Sequence, residues 1–273
     1  MSARQFDILT LDALLYVLEP LEISPKRLAR VDVIMLKSDF QRSALPPIAQ
    51  LVPSLVIPNG VDEDLIARVQ AEGAATGASR ELRVLYTSSY DRGLEHMLKH
   101  GWPRIVGAIP HATLHLYYGW RTHELLHPTS TWREEMQGLI ASYDSVCDHG
   151  RVGQLELLRA KAASPLLYYV GDWPEIDCIA VREAAMLGCV PLTSTVAVFG
   201  DVAKDYCVKV SGDPTMAETQ HQAADVAIRL LSAYEATGAL PEVRTDSLRE
   251  ETWARVAARW LEFFDGPRLA TLT

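Results

Sequence analysis

Short runs of apolar, β-branched residues alternate with amphipathic stretches along the 273-residue chain, and this alternation restricts the fold more than any other feature. The strand-like runs are residues 31–36, 55–57, 82–86, 113–118, 166–170, 189–192 and 206–210. Helical patterns cover residues 62–70, 92–99, 132–143, 154–163, 176–187, 217–235 and 248–264. Strands separated by crossover helices predict an α/β protein with a mainly parallel, doubly wound sheet. Such sheets take their ligands at the carboxyl ends of the strands. The small, polar stretch at residues 71–79 reads as a surface linker.

Composition narrows the function classes. The chain is 48% hydrophobic and 22% charged, an ordinary globular balance that excludes a disordered or collagen-like state. Lys and Arg number 26 against 35 Asp and Glu, so the formal net charge is −9. An acidic surface repels phosphate backbones and anionic lipids, which argues against general nucleic-acid binding. Cys147, Cys178, Cys189 and Cys207 form no CxxC pair, and their mostly apolar surroundings predict buried free thiols in a reducing compartment. The first residues lack the apolar core of a signal peptide, and no apolar run reaches the roughly 18 residues of a membrane span. A cytoplasmic protein is expected.

The stretch from Val170 to Pro191 carries the most chemical information. Glu175 and Glu183 are eight residues apart, with Ile176, Ile179, Ala180 and Ala184 around them. A helix over 176–187 puts Glu175 at its N-terminus, where backbone N–H groups attract anions. At ~100° per residue the two carboxylates lie about 80° apart around the axis, within reach of one elongated ligand. Spacing alone leaves open a capping Glu followed by an ordinary surface Glu.

This stretch resembles the E-x7-E helix of the retaining glycosyltransferases with the GT-B fold, particularly their family 4. Its end, Ala184 to Pro191, resembles the A-x-A-x-G-x-P-V tail of that helix. Other segments agree in order. Ser38-Asp39-Phe40 and Ile57-Pro58-Asn59-Gly60-Val61-Asp62 are similar to the S-x-F and I-P-N-G-V-D signatures that join the family's two domains. The segment Tyr86 to Gly93 resembles the first strand-loop-helix of its nucleotide-sugar domain, and Leu114 to Gly119 and His149 to Val152 resemble two later loops.

The resemblance implies a Rossmann-like GT-B C-terminal domain at residues 79–273, preceded at 1–78 by a remnant of the N-terminal acceptor domain and a linker. It implies retaining, hexosyl-type transfer from a nucleotide-diphosphate sugar to an acceptor it does not identify, without metal or other cofactor. Glu183 would accept hydrogen bonds from the ribose hydroxyls in a solvated cleft, and Glu175 would hold a hydroxyl of the donor sugar. Arg92, just before Gly93, stands where the family commonly has a diphosphate-neutralising lysine. The loop His149-Gly150-Arg151-Val152 would lie against the base. The family's G-R before that lysine is replaced by Tyr86-Thr87-Ser88, so Ser88 and Ser89 offer neutral donors in place of one cation. Only about 37 residues precede Ser38, where the family has a full acceptor domain. The expected partners are therefore a nucleotide-sugar donor, an acceptor, and a second copy or separate chain supplying the missing half. A donor-binding subunit that needs such a chain is the alternative function.

Two other patterns compete. His123-Glu124-Leu125-Leu126-His127 matches the H-E-x-x-H of zinc hydrolases, but Pro128 follows at once and no third ligand is marked, so a loop is the expected structure. Asp62-Glu63-Asp64 matches a metal-binding D-x-D, but its place after Asn-Gly-Val suits a helix cap and an acidic first turn. Trp253 and Trp260, followed by Phe263 and Phe264, predict a packing stripe on the last helix.

Overall fold

The computed structural model describes residues 8–10, 25–76, 80–126 and 129–265, arranged as two compact units. The first unit is Met1–Asp62, Pro174–Ile179 and Asp246–Thr273; the second is Glu63–Trp173 and Ala180–Thr245. The boundary expected at residue 78 does not coincide with this division. The helix Glu63–Thr76 belongs to the second unit, and the last helix, Trp253–Asp265, belongs to the first.

The first unit is built on three parallel strands, β1 (Ile8–Thr10), β2 (Val33–Leu36) and β3 (Ser54–Val56), in that order across the sheet. Every residue of the central strand β2 is buried. Its period of two sends Ile34 and Leu36 to a cluster with Leu28, Leu45 and Ala49. Val33 and Met35 go to a second cluster with Ile57 and Val256, on which Trp260 and Phe263 pack. Each fully buried Val, Leu, Ile or Met among them contributes roughly 1.5–3 kcal/mol. The aromatic stripe is thus half used: Trp260 and Phe263 pack, whereas Trp253 and Phe264 are each 49% exposed.

The segments that resemble the interdomain signatures have local structural roles in this unit. Ser38 caps the helix Asp39–Ser43, its hydroxyl accepting from the Gln41 N–H at 3.2 Å. After β3, Val61 bridges in parallel to Thr252, and the Trp253 N–H donates to the Val61 carbonyl at 3.1 Å. Gly60 is required by close approach, since a Cβ would lie 2.5 Å from the Trp253 nitrogen. Asp62 directly precedes the helix Glu63–Thr76, whose first turn carries Glu63 and Asp64.

The second unit carries a six-stranded, wholly parallel sheet. Its strands are β4 (Arg83–Tyr86), β5 (Thr113–Leu116), β6 (Val146–Asp148), β7 (Leu166–Tyr169), β8 (Val190–Ser194) and β9 (Val208–Val210). The order across the sheet is β6-β5-β4-β7-β8-β9, so the direction of winding reverses between β4 and β7. That reversal opens a crevice at the carboxyl ends of these two strands. All residues of β7 and β8 are buried, as a sheet covered on both faces demands. This is the doubly wound α/β fold that the alternation predicts, and it is Rossmann-like, as the resemblance implies.

Several local expectations change. The stretch expected to be a linker is helical through Thr76, because its alanines favour a helix; residues 77–79 lie outside the described residues. A helix Arg121–Leu126 replaces the expected loop. The helix expected over 92–99 continues as Leu94–His96, a π turn Met97–Gly101 and Trp102–Ala108. Pro103 has no N–H for the Lys99 carbonyl, which accounts for a wider turn at this point. Strand β6 is an edge with exposed Cys147 and Asp148, too polar and short to be read as a strand.

No helix of the described residues is long and apolar enough to cross a membrane. All four cysteines are free, but they are not uniformly buried. Cys189 is buried, and burial pushes its thiol up to about 12, whereas Cys147 is exposed.

Candidate functional site

The loops after β4 and β7 meet at the crevice. Gly93 has φ 108°, and a Cβ there would lie 2.7 Å from Gly171 Cα. A Cβ on Gly171 would approach the Arg92 carbonyl oxygen to 2.1 Å. Two glycines back to back therefore let the two loops touch main chain to main chain. Just outside this contact the Arg92 guanidinium lies over the Trp173 ring, 4.4 Å from its centroid. The indole face orients the cation without neutralising it. Ser89 is buried and Ser88 partly buried in the same loop. The buried Tyr86 hydroxyl donates to the Ser89 carbonyl at 2.9 Å, and desolvation holds its ionisation well above the usual phenol range.

Tyr90 joins three loops. Its hydroxyl donates to Asp148 Oδ1 at 2.5 Å and accepts from the Gly119 N–H at 3.3 Å. Asp148 also accepts from the Gly150 N–H at 2.9 Å. Burial and the Asp148 carboxylate push the Tyr90 hydroxyl far up, so it acts as a permanent donor. Gly119, at φ 78°, lies against the Gly150 and Arg151 backbone, where a Cβ would come within 3.1 Å of the Arg151 nitrogen. The loop His149–Val152 is thus held by Asp148 and by the Tyr118 N–H, which donates to the Gly150 carbonyl at 2.9 Å. The exposed Arg151 and the partly buried Val152 continue to the helix Gln154–Ala162.

His149 stacks on Tyr117, ring centroids 4.5 Å apart and planes 7° apart. Its Nε2 shares a 2.8 Å hydrogen bond with His115 Nδ1. Burial, with Arg83 and His149 adding to it, lowers His115 from 6.5 to about 4. A histidine depressed in the folded state costs stability once the unfolded chain takes up its proton, so the loss begins as pH falls below 6.5 and runs to about 4. Between about pH 7.5 and about pH 5 the protein is expected to lose about 1–2 kcal/mol to this ring. Urea denaturation of wild type and H115Q at both pH values checks this; equal acid losses in the two proteins would refute it.

Glu183 lies on the helix Ile179–Met186 and is 4% exposed, not open to a solvated cleft as expected. Its Oε2 pairs with Lys161 Nζ at 2.5 Å, and Lys161 is fully buried. Its Oε1 accepts from Gln154 Nε2 at 2.6 Å. A carboxylate has about four acceptor positions, so two remain for a ligand. Glu175 is buried at 9% exposure, but the helix expected from Ile176 begins only at Ile179. Glu175 therefore belongs to the loop before the helix, and the angle expected between the two carboxylates does not apply. Glu175 lies in the first unit; the other expected site residues lie in the second.

Sequence reasoning missed Tyr90, Trp173, Gly171, Gln154 and Lys161. One signal was available: Gln154 and Lys161 are seven residues apart, hence on one face of their helix. The H-E-x-x-H segment is split by the limits of the described residues. His123 lies on the helix Arg121–Leu126 with its ring 5.0 Å from that of Trp132, and Glu124 pairs with Arg133. His127 lies outside the described residues. Among the described residues no group of three or more His, Cys, Asp or Glu could hold a metal ion.

No protein-family model and no curated protein matches the chain. Solved structures do. HepE from Anabaena, in complex with UDP and glucose, superposes with a TM-score of 0.68 at 14% identity, over 94% of this chain and 70% of that one. Sucrose-phosphate synthase from Thermosynechococcus elongatus gives 0.66 at 19% identity, over 94% of this chain and 66% of that one. A UDP-forming α,α-trehalose-phosphate synthase from Burkholderia xenovorans gives 0.70 at 14% identity, over 94% and 67%. At such identities the likeness is one of fold, the GT-B type of α/β architecture.

Proposed function

We propose that the chain binds a nucleotide-diphosphate sugar on its six-stranded unit and serves glycosyl transfer, with retention at the anomeric carbon and without metal. The observation that carries this reading is the meeting of two loops at the winding reversal. There the Gly93–Gly171 contact brings two loops together, and the stacked Arg92 supplies the positive charge. A departing nucleoside diphosphate gains negative charge, and a cation fixed before the reaction stabilises it without reorganisation. Ser88 and Ser89 add neutral donors, and the His149–Val152 loop offers the base a flat, backbone-lined wall. Glu183 takes the ribose hydroxyls, as the family resemblance implies. UDP is the first nucleotide to test, because HepE was crystallised with it.

A thermal-shift panel of UDP-, GDP-, ADP- and dTDP-sugars tests the reading. A ligand at about 100 times its Kd stabilises the folded state by about 2.7 kcal/mol. Wild type is expected to respond to at least one donor, and R92A to need roughly tenfold more of it, the equivalent of about 1.4 kcal/mol. A wild type indifferent to every nucleotide and nucleotide sugar would refute the proposal.

A second reading, a donor-binding module completed by another chain, is favoured by one observation. Leu261 and Phe264 stay largely exposed on the last helix. Donor hydrolysis and transfer assays of the purified chain, with light scattering beside them, separate the two readings.

A further inference from the structure

We infer that Lys161 is a positioning residue for Glu183: a buried ammonium that pairs with one carboxylate oxygen and holds the other turned toward a ligand's vicinal diol. The inference rests on the donor-binding reading and adds to it a residue with no exposure of its own. Lys161 is 0% exposed, and its Nζ lies 2.5 Å from Glu183 Oε2. The other oxygen, Oε1, turns to Gln154, which is exposed at the first position of the same helix. The carboxylate therefore has a dry side, closed by Lys161, and a wet side, where the Gln154 amide occupies a place that a hydroxyl donor can take. Seven residues separate Gln154 from Lys161, so one helix face supplies both donors.

Stability alone gives no reason for this pair. Two ions taken out of water seldom gain more from each other than two apolar side chains of the same volume would gain. The helix Gln154–Ala162 already buries Leu158 on its inner side, and a further aliphatic residue would suit that core. What the ammonium supplies is charge. Without it, desolvation would favour the protonated carboxyl, and a carboxylic acid accepts diol hydrogen bonds poorly. Cys189, near Lys161, does not confuse a titration, because burial pushes its thiol up to about 12.

The test is titration calorimetry of wild type and K161M with UDP, GDP and ADP, their 2′-deoxy forms and pyrophosphate, from about pH 6 to about pH 9. Wild type is expected to prefer the ribonucleotide over its deoxy form by a ratio that is flat with pH. K161M is expected to lose about tenfold in affinity for the ribonucleotide at the acid end and to recover toward the alkaline end, as Glu183 ionises. Pyrophosphate binding should be unchanged. Where K161M does not fold, K161Q keeps a hydrogen-bond donor, drops the charge and carries the same expectation. A wild-type ratio at every pH in the folded variant overturns the inference and leaves the donor reading intact. A wild type that binds none of the nucleotides overturns the donor reading, and the inference falls with it.

Discussion

E183A is expected to destabilise the six-stranded unit by about 3–5 kcal/mol, beyond any loss of ligand binding. The substitution leaves the fully buried Lys161 without its carboxylate and deprives Gln154 of its acceptor. Domains of this size are stable by only about 5–15 kcal/mol, so the loss is a large share of the whole. The resemblance alone predicts a well-folded variant that merely binds nucleotide less well, because it puts Glu183 in a solvated cleft. Urea denaturation distinguishes the two outcomes. E183A should unfold at markedly lower urea, and E183L/K161M should recover most of the stability, since an apolar pair leaves no orphaned ion. An E183A protein as stable as wild type would mean that Lys161 finds another partner or reaches water.

G171A is expected to cost about 3 kcal/mol and to abolish donor binding in whatever protein remains folded. Its Cβ would meet the Arg92 carbonyl oxygen at 2.1 Å, and backbone, unlike a flexible side-chain tip, cannot swing aside. Relief of the clash must push the Arg92–Gly93 main chain away and carry the guanidinium off Trp173. G107A makes a suitable control: nothing lies within 4 Å of a Cβ there, so it should be neutral or slightly stabilising. The checks are denaturation midpoints of both variants and calorimetry with UDP. Wild-type affinity in G171A would show that the two loops need not touch for binding.

Much of the fold was legible. β2 and β7 read as strands because unbroken apolar runs of four residues are what a sheet covered on both faces requires. The amphipathic pattern at Gln154–Ala162 placed that helix to within a residue. Errors gathered where local signals are weak. β6 is a polar edge strand, recognisable only by its pairing with β5. Residues 71–76 look like a linker because alanine and glycine are small, but alanine is also the strongest helix former. The onset of the helix carrying Glu183 was placed at Ile176 because Pro174 and an acidic residue imitate a helix start; the chain is irregular, with a bend at Ile176, until Ile179.

The repeat of strand and helix is written in the sequence, and with it the parallel sheet and the strand ends that such a sheet offers to a ligand. Periodicity records which face of each element is buried, and it is written locally in every segment. Which side chains meet across segments is not written locally. Lys161 and Glu183 are 22 residues apart, Tyr90 and Asp148 are 58 apart, and no period links either pair. Folding alone puts an apparently ordinary lysine dry behind a carboxylate. It also decided that the last helix joins the small sheet, with Trp260 and Phe263 on Val33 and Met35. The reason is physical: burial is a property of one residue's surroundings on average, whereas charge pairing and close packing depend on single distances that only the folded chain fixes.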